Sequence, residues 1–160
     1  MDKLRFLPVG LAVQGKPCLI VGGGAVGTRK ALTLARAGAA VTIVSPTVAD
    51  DLLESIEAGR VRWVEASFLE EYLDGAFLVV ATTDDEELNA RVVQEAGRRG
   101  ALVCDASSAE RSQVIFGALL EGEGVTMAVF TDGQDPGAAR RTRDEVRDLI
   151  ARNRPAGPRA

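Results

Sequence analysis

The chain has 160 residues, 46% of them apolar, a formal charge of −4 and no histidine. That length is enough for one packed domain with an appendage. The acidic balance gives no reason to expect nucleic-acid binding, and the lack of imidazole removes His metal sites, Ser-His-Asp and Cys-His systems and His acid/base chemistry.

No apolar run approaches a membrane span, and the start Met1-Asp2-Lys3-Leu4-Arg5 carries no signal peptide, so a soluble cytoplasmic protein is expected, with no membrane partner. Cys18 and Cys104 both fall in expected strands and read as buried reduced thiols rather than a disulfide or metal pair.

In chain order, Leu4 to Leu11 is an apolar lead-in and Gln14-Gly15-Lys16 turns into a short apolar run, Cys18-Leu19-Ile20-Val21, expected as a buried parallel strand. It ends in Gly22-Gly23-Gly24-Ala25-Val26-Gly27, which fits G-x-G-x-x-G, and a helix of about Ala25 to Ala37 follows. Strand, glycine turn and helix in that order are the context a dinucleotide fingerprint requires. Gly22 allows the tight turn, Gly24 lets the backbone approach a pyrophosphate, and Gly27 lets the helix pack closely on its strand. Unpaired N–H groups at the helix N-terminus, around Ala25 and Val26, supply the anion site. A Walker A loop fits poorly, because no Gly-Lys-Ser/Thr closes the turn.

Val41 to Val44 is a second buried strand. Ser45-Pro46 stands where an acid usually holds the ribose hydroxyls. Ser45 could contact the cofactor or cap a helix with Pro46 at its first position, and the cap is favoured. The choice of NAD over NADP is therefore not settled by a carboxylate. The helix is expected to run to about Ala58 with Val48, Leu52, Leu53 and Ile56 inward and Gly59 beyond its end.

Val61 to Val64 is a third strand, Phe68 to Leu73 a short link, and Ala76 to Ala81 a central parallel strand. The exit of that strand, Thr82-Thr83-Asp84-Asp85, lies at a carboxyl end, where open α/β sheets collect ligands. Thr82, Thr83 and Asp84 are expected beside the cofactor, with Asp84 or Asp85 also able to cap a helix of about Glu86 to Arg99.

Ala101 to Cys104 is the fifth strand, with Asp105 at its exit and a polar loop to Ser112. Val114-Ile115-Phe116 and Val125 to Phe130 then read as a hairpin around Glu121-Gly122-Glu123-Gly124. Pro136 opens a last helix with Ala139, Val146, Leu149 and Ile150 at helical spacing, and Arg152 to Ala160 reads as frayed. The expected fold is α/β, a Rossmann-like parallel sheet over residues 1–112 and a dimerisation hairpin with helix over residues 113–160. A hairpin and a lone amphipathic helix are each marginal alone, so a homodimer is expected.

The order of segments resembles the precorrin-2 dehydrogenase family, whose domain is also the N-terminal part of siroheme synthase. The resemblance covers nearly the whole chain. It is carried by Leu7-Pro8-Val9, C-L-I-V-G-G-G-A-V-G-T-R-K-A from Cys18 to Ala31, Ala37-Gly38-Ala39, and Val41 through Pro46. It continues in L-V-V-A-T-T-D-D-E-E-L-N from Leu78 to Asn89, and in Asp135-Pro136 with Ala139-Arg140.

The resemblance implies an NAD-using homodimer that oxidises precorrin-2, a tetrapyrrole, to sirohydrochlorin for sirohaem or cobalamin synthesis. The family's aspartate in Asn-Val-Val-Asp, its proposed acid/base, aligns without gaps to Ser107, with Asp105 two residues earlier. Either the loop is shifted and Asp105 is the catalytic proton acceptor, or the aspartate is missing. The many carboxylates of the substrate suggest contacts from Arg111, Thr131 and Arg140, with Arg143 a further candidate. Two further departures are Phe130-Thr131-Asp132-Gly133 for the family's Ser-Thr/Ser-Gly-Gly and Gly117 for a proline. The family's C-terminal helical domain is expected to be largely absent from a chain ending at Ala160. No resident metal is expected, and metal chelation into the product is not. The alternative is a non-catalytic NAD-binding sensor or scaffold; a Rossmann regulator of ion transport fits less well, since those keep an acid where Ser45 stands.

Overall fold

In the computed structural model, which describes residues 4–122 and 124–152, five short strands lie parallel in the order β3-β2-β1-β4-β5. They are β1 (Pro17–Val21), β2 (Ala40–Val44), β3 (Val61–Val64), β4 (Leu78–Ala81) and β5 (Leu102–Asp105). Strand β1 sits between β2 and β4, Ile20 pairing with Ile43 on one side and Val80 on the other. All three of these residues are fully buried. Runs this apolar on both faces belong to a sheet covered on both sides.

The cover comes from the crossovers. Helix α1 (Ala25–Arg36) packs on β1 and β2. Helix α3 (Glu86–Arg98) packs on β4 and β5, with Val92, Val93 and Ala96 in one cluster with Leu19, Val21, Val79 and Val103. Alternation along β1 sends Ile20 to the opposite face from Leu19 and Val21. The β3–β4 crossover is short, a 3-10 turn at Glu70–Leu73 whose Leu73 closes the same cluster. Chain order moves outward from β1 to β2 and β3, then restarts beside β1 at β4. The reversal between β1 and β4 is the topological switch point.

Two elements depart from the expected ones. Ser45 and Pro46 cap no helix. After β2 the chain runs extended to a 3-10 turn at Asp50–Leu52, and α2 is only Leu53–Glu57. The helix starts late because residues 45–49 pack along the glycine turn, where the Ala49 N–H donates to the Gly23 carbonyl at 2.9 Å. Leu53 is consequently 40% exposed, not inward, and Ser55 is buried in its place. In the hairpin, Val114-Ile115-Phe116 is not a strand. The Gln113 and Val114 N–H groups both donate to Val103 O, at 2.9 and 3.0 Å, so the chain there still follows β5.

The hairpin pairs β6 (Ala118–Gly122) with β7 (Val125–Val129), antiparallel. It forms a second compact unit with α4 (Pro136–Arg152) and residues 4–8, while residues 9–114 make the first. Helix α4 is capped by Asp135, whose Oδ1 accepts the Ala138 N–H at 2.7 Å. Ala139 is buried, but Leu149 and Ile150 lie exposed, as do Val125 and Met127 on β7. The expectation of fraying beyond Arg152 lies outside the described residues.

Both cysteines are free and buried. Burial pushes the Cys18 thiol up to about 11. It also raises the Cys104 thiol, against the opposing pull of the Lys30 ammonium. The thiolate is the reactive form, so iodoacetamide at pH 8 is expected to leave both native cysteines unlabelled while labelling both in urea. Rapid labelling of the native protein would contradict the buried placement.

Candidate functional site

The site lies at the switch point, where β1 and β4 end side by side. A groove of about 570 Å³ is lined by Gly22 to Val26 after β1, Val44 to Thr47 after β2, Ala66 to Phe68 after β3, and Thr82 to Asp85 after β4. Its size falls within that of small-molecule and cofactor sites.

The three fingerprint glycines do three different things. Gly22 has φ +111°, and an added Cβ would meet the Thr82 carbonyl carbon at 2.8 Å. Gly27 faces inward, where a Cβ would lie 2.0 Å from the Gly22 carbonyl oxygen and 2.7 Å from Thr82 Oγ1. Gly24 is the reverse case: a Cβ there would meet no protein atom within 4 Å. Gly24 is exposed at the N-cap of α1, with no side-chain cap and no acid in the first helical turn. The first N–H groups of a helix have no partner within it. The open space at Gly24, lying over those donors and the positive end of the helix dipole, fits a pyrophosphate. Ala25 and Val26 line the same end of the groove.

The other expected cofactor residues line the groove too, but several use their polar atoms internally. Thr82 Oγ1 donates to the carbonyls of Val21 and Gly22, at 3.1 and 3.0 Å, and so ties the exit of β4 to the glycine turn. Thr83 Oγ1 lies 2.7 Å from Asn89 Oδ1. Asp85 is the cap of α3, its Oδ1 accepting the Leu88 N–H at 3.0 Å, and Asp84 lines the groove beside it. Ser45 is buried, its carbonyl accepting the Trp63 indole N–H at 2.9 Å and its N–H donating to Val64 O at 3.2 Å. The Ser45 side chain packs beneath Gly23, where an added Cβ would touch its Oγ at 3.0 Å. Pro46 lines the groove beside it.

Asp105 is placed differently from an open proton acceptor. Its side chain has no exposed surface. Oδ1 accepts the Ser107 N–H at 2.8 Å and the Ser107 hydroxyl, and Oδ2 accepts Arg111 Nε at 2.6 Å. Arg111 Nη2 continues to Glu86 Oε1 at 3.0 Å. Those two carboxylates hold the Arg111 guanidinium, raising its pKa further. The loop folds back within six residues of β5 and spends both groups on each other, so Asp105 anchors the loop and Arg111 is not free for a substrate carboxylate.

Thr131 and Arg140 belong to the second unit. Thr131 Oγ1 donates to Asp135 O at 2.7 Å and closes the turn before α4, and Arg140 is exposed on that helix.

Sequence reasoning missed Thr47, Ala66, Ser67, Phe68 and Leu88 on the groove wall. The available signal was the exit of β3, since ligands collect at the carboxyl ends of parallel strands. Asn89, buried between Thr83 and Ser107, was also missed.

A family model described as "Putative NAD(P)-binding" matches residues 9–118. The chain is 37% identical over 147 residues to the siroheme synthase of Photorhabdus laumondii, covering 92% of this chain and 31% of that protein. It is 39% identical, with the same coverage, to siroheme synthase 1 of Pectobacterium atrosepticum. The chain therefore spans 31% of the length of these curated relatives. Among solved structures it is similar to SirC, a precorrin-2 dehydrogenase, with TM-score 0.77 and 29% identity over 93% of this chain and 72% of that one. The chain belongs to this NAD(P)-binding family.

Proposed function

We propose that the chain catalyses the NAD-dependent oxidation of precorrin-2 to sirohydrochlorin, on the way to sirohaem or a cobalamin. The observation that carries the reading is the groove at the switch point, with its clear space at Gly24, in a chain similar to SirC over 93% of its length. Bound NAD supplies the hydride acceptor. Gly24, Ala25 and Val26 hold its pyrophosphate on the helix N-terminus, and Asp84 is placed to accept a hydrogen bond from a ribose hydroxyl. Ser45 and Pro46 shape the adenosine end without a charge.

The substrate loses a hydride and a proton. Asp105 is already committed to Arg111, so the proton passes to solvent water, and the chain's contribution is chiefly orientation of the two reactants. Thr131 and Arg140 are candidate substrate contacts, Arg140 for a substrate carboxylate. No chelation step is assigned to the chain.

The protein acts as a cytoplasmic homodimer, a second copy covering the exposed apolar residues Val125, Met127, Leu149 and Ile150. A two-stranded sheet needs such cover, and light scattering is expected to give twice the mass of one chain.

The second reading, a non-catalytic NAD-binding sensor, is favoured by one observation, the closed Asp105–Arg111 pair. Anaerobic mixing of the protein with NAD and precorrin-2 separates the two. Appearance of sirohydrochlorin absorbance is expected, and NAD binding without turnover would establish the sensor instead. Ferrous iron added to the same mixture is expected to stay out of the product.

A further inference from the structure

Asn89 lies on α3, one turn after its start, and is 1% exposed. All four hydrogen-bonding positions of its amide are used. Oδ1 accepts the Thr83 N–H at 3.0 Å and the Thr83 hydroxyl at 2.7 Å. Nδ2 donates to Thr83 O at 2.9 Å and to Ser107 Oγ at 3.3 Å. An amide has two acceptor sites and two donors, so this one is saturated and its orientation fixed. Ser107 Oγ is saturated as well: it accepts from Asn89 and from Arg111 Nη2 at 3.3 Å, and donates to Asp105. One continuous chain of bonds thus runs from Thr83, on the groove wall, through Asn89 and Ser107 to Asp105 and Arg111. Asn89 and Asp105 are its buried members, and a buried polar group with every partner in place holds its neighbours in one arrangement, which is lost when a partner is removed.

Strand order says which end of the groove this network serves. In doubly wound sheets the dinucleotide crosses the switch point. By that rule the adenosine half of a bound dinucleotide would lie over β1 and β2 here, and the β4–β5 side would take the reacting half. Ala81 pairs with Asp105 in that register, so Thr82-Thr83 and the 105–112 loop leave the sheet side by side.

We infer that Asn89 and Ser107 are positioning residues, which lock the 105–112 loop to the Thr83 wall so that cofactor binding at Thr83 also orders the loop facing the reacting end. This inference rests on the NAD reading of the groove. Because Ser107 is exposed, Ser107→Ala removes the link without disturbing the core.

Hydrogen exchange read by mass spectrometry tests the link, since local opening sets the exchange rate. In the wild-type protein, NAD is expected to slow exchange over residues 22–28, 82–85 and 105–112. In Ser107→Ala the first two segments still slow and residues 105–112 do not, while Ser107→Thr, which keeps the hydroxyl, restores the effect. With precorrin-2, Ser107→Ala is expected to lower kcat by about tenfold with KM for NAD within about twofold. A merely structural bond would raise loop exchange with and without NAD alike and leave the NAD-dependent difference intact. That outcome overturns the inference, as does a wild-type loop indifferent to NAD when the other segments respond. No response to NAD in any segment would defeat the cofactor reading itself, and the inference with it.

Discussion

Gly24→Ala is expected to fold as the wild type does and to lose most of its affinity for NAD. The backbone at Gly24, φ −70° and ψ −177°, is open to any residue, and an added Cβ meets no protein atom within 4 Å. Stability should therefore stay within about 0.5 kcal/mol of the wild type, as for surface changes away from special features. The methyl group instead occupies the space where a pyrophosphate approaches the helix N-terminus, and NAD affinity should fall at least about tenfold, or roughly 1.4 kcal/mol.

Gly27→Ala, three residues on, should behave in the opposite way. Its Cβ would meet the Gly22 carbonyl and Thr82 Oγ1, an overpacking that costs about 1–3 kcal/mol or more and shifts α1 off β1. Trp63 is the only tryptophan and its indole bonds to Ser45 on the groove side, so its fluorescence can follow NAD titration. Urea unfolding supplies the stabilities. If Gly24→Ala bound NAD as tightly as the wild type, the space over Gly24 would not be where the pyrophosphate sits, and that placement would be overturned.

The second large effect concerns the Asp105–Arg111 pair. Arg111→Ala leaves a fully buried carboxylate without its cation. Breaking a buried pair in this way costs about 3–5 kcal/mol. The lower part of that range is expected here, because the arginine side chain is 33% exposed and water can partly replace it. Asp105→Asn keeps the shape and an acceptor for Ser107, and the arginine it releases can still reach Glu86 and solvent. It should therefore destabilise clearly less than Arg111→Ala.

Asp105→Asn also decides the role of Asp105 in turnover. A positioned general base contributes about 10²–10⁴-fold. As an anchor, Asp105 can become Asn with turnover kept within about tenfold. A loss in the general-base range would make it the proton acceptor after all.

The sheet was legible because β1, β2 and β4 are short apolar runs followed by Gly22, Ser45-Pro46 and Thr82-Thr83-Asp84. Ile20, Ile43 and Val80 could hardly be anywhere but a covered sheet. The glycine turn was legible for the same local reason, since strand, turn and helix follow one another without a gap.

What misled were segments whose structure is set by contacts distant in sequence. Ser45-Pro46 carries a good capping signal. Yet residues 45–49 are held along Gly23, with the Thr47 carbonyl where a Gly23 Cβ would be. Val114-Ile115-Phe116 has strand composition, but the Gln113 and Val114 N–H groups both go to the Val103 carbonyl and no strand forms. Asp105 does stand at the exit of β5, but Arg111, expected as a substrate contact, is held by Asp105 and Glu86. No periodicity in residues 105–112 shows that the loop closes one onto the other. Asn89 falls within the family pattern from Leu78 to Asn89, but a buried amide looks the same in sequence as an exposed one.

The central claim, that this groove supports oxidation of a tetrapyrrole by a nicotinamide cofactor, is tested most directly by stoichiometry. The wild-type protein is mixed anaerobically with limiting precorrin-2 and excess NAD, and both products are quantified at completion. Equal amounts of NADH and sirohydrochlorin are expected, at a rate proportional to protein concentration. Sirohydrochlorin formed without NADH, or no product while Trp63 fluorescence reports bound NAD, would contradict it.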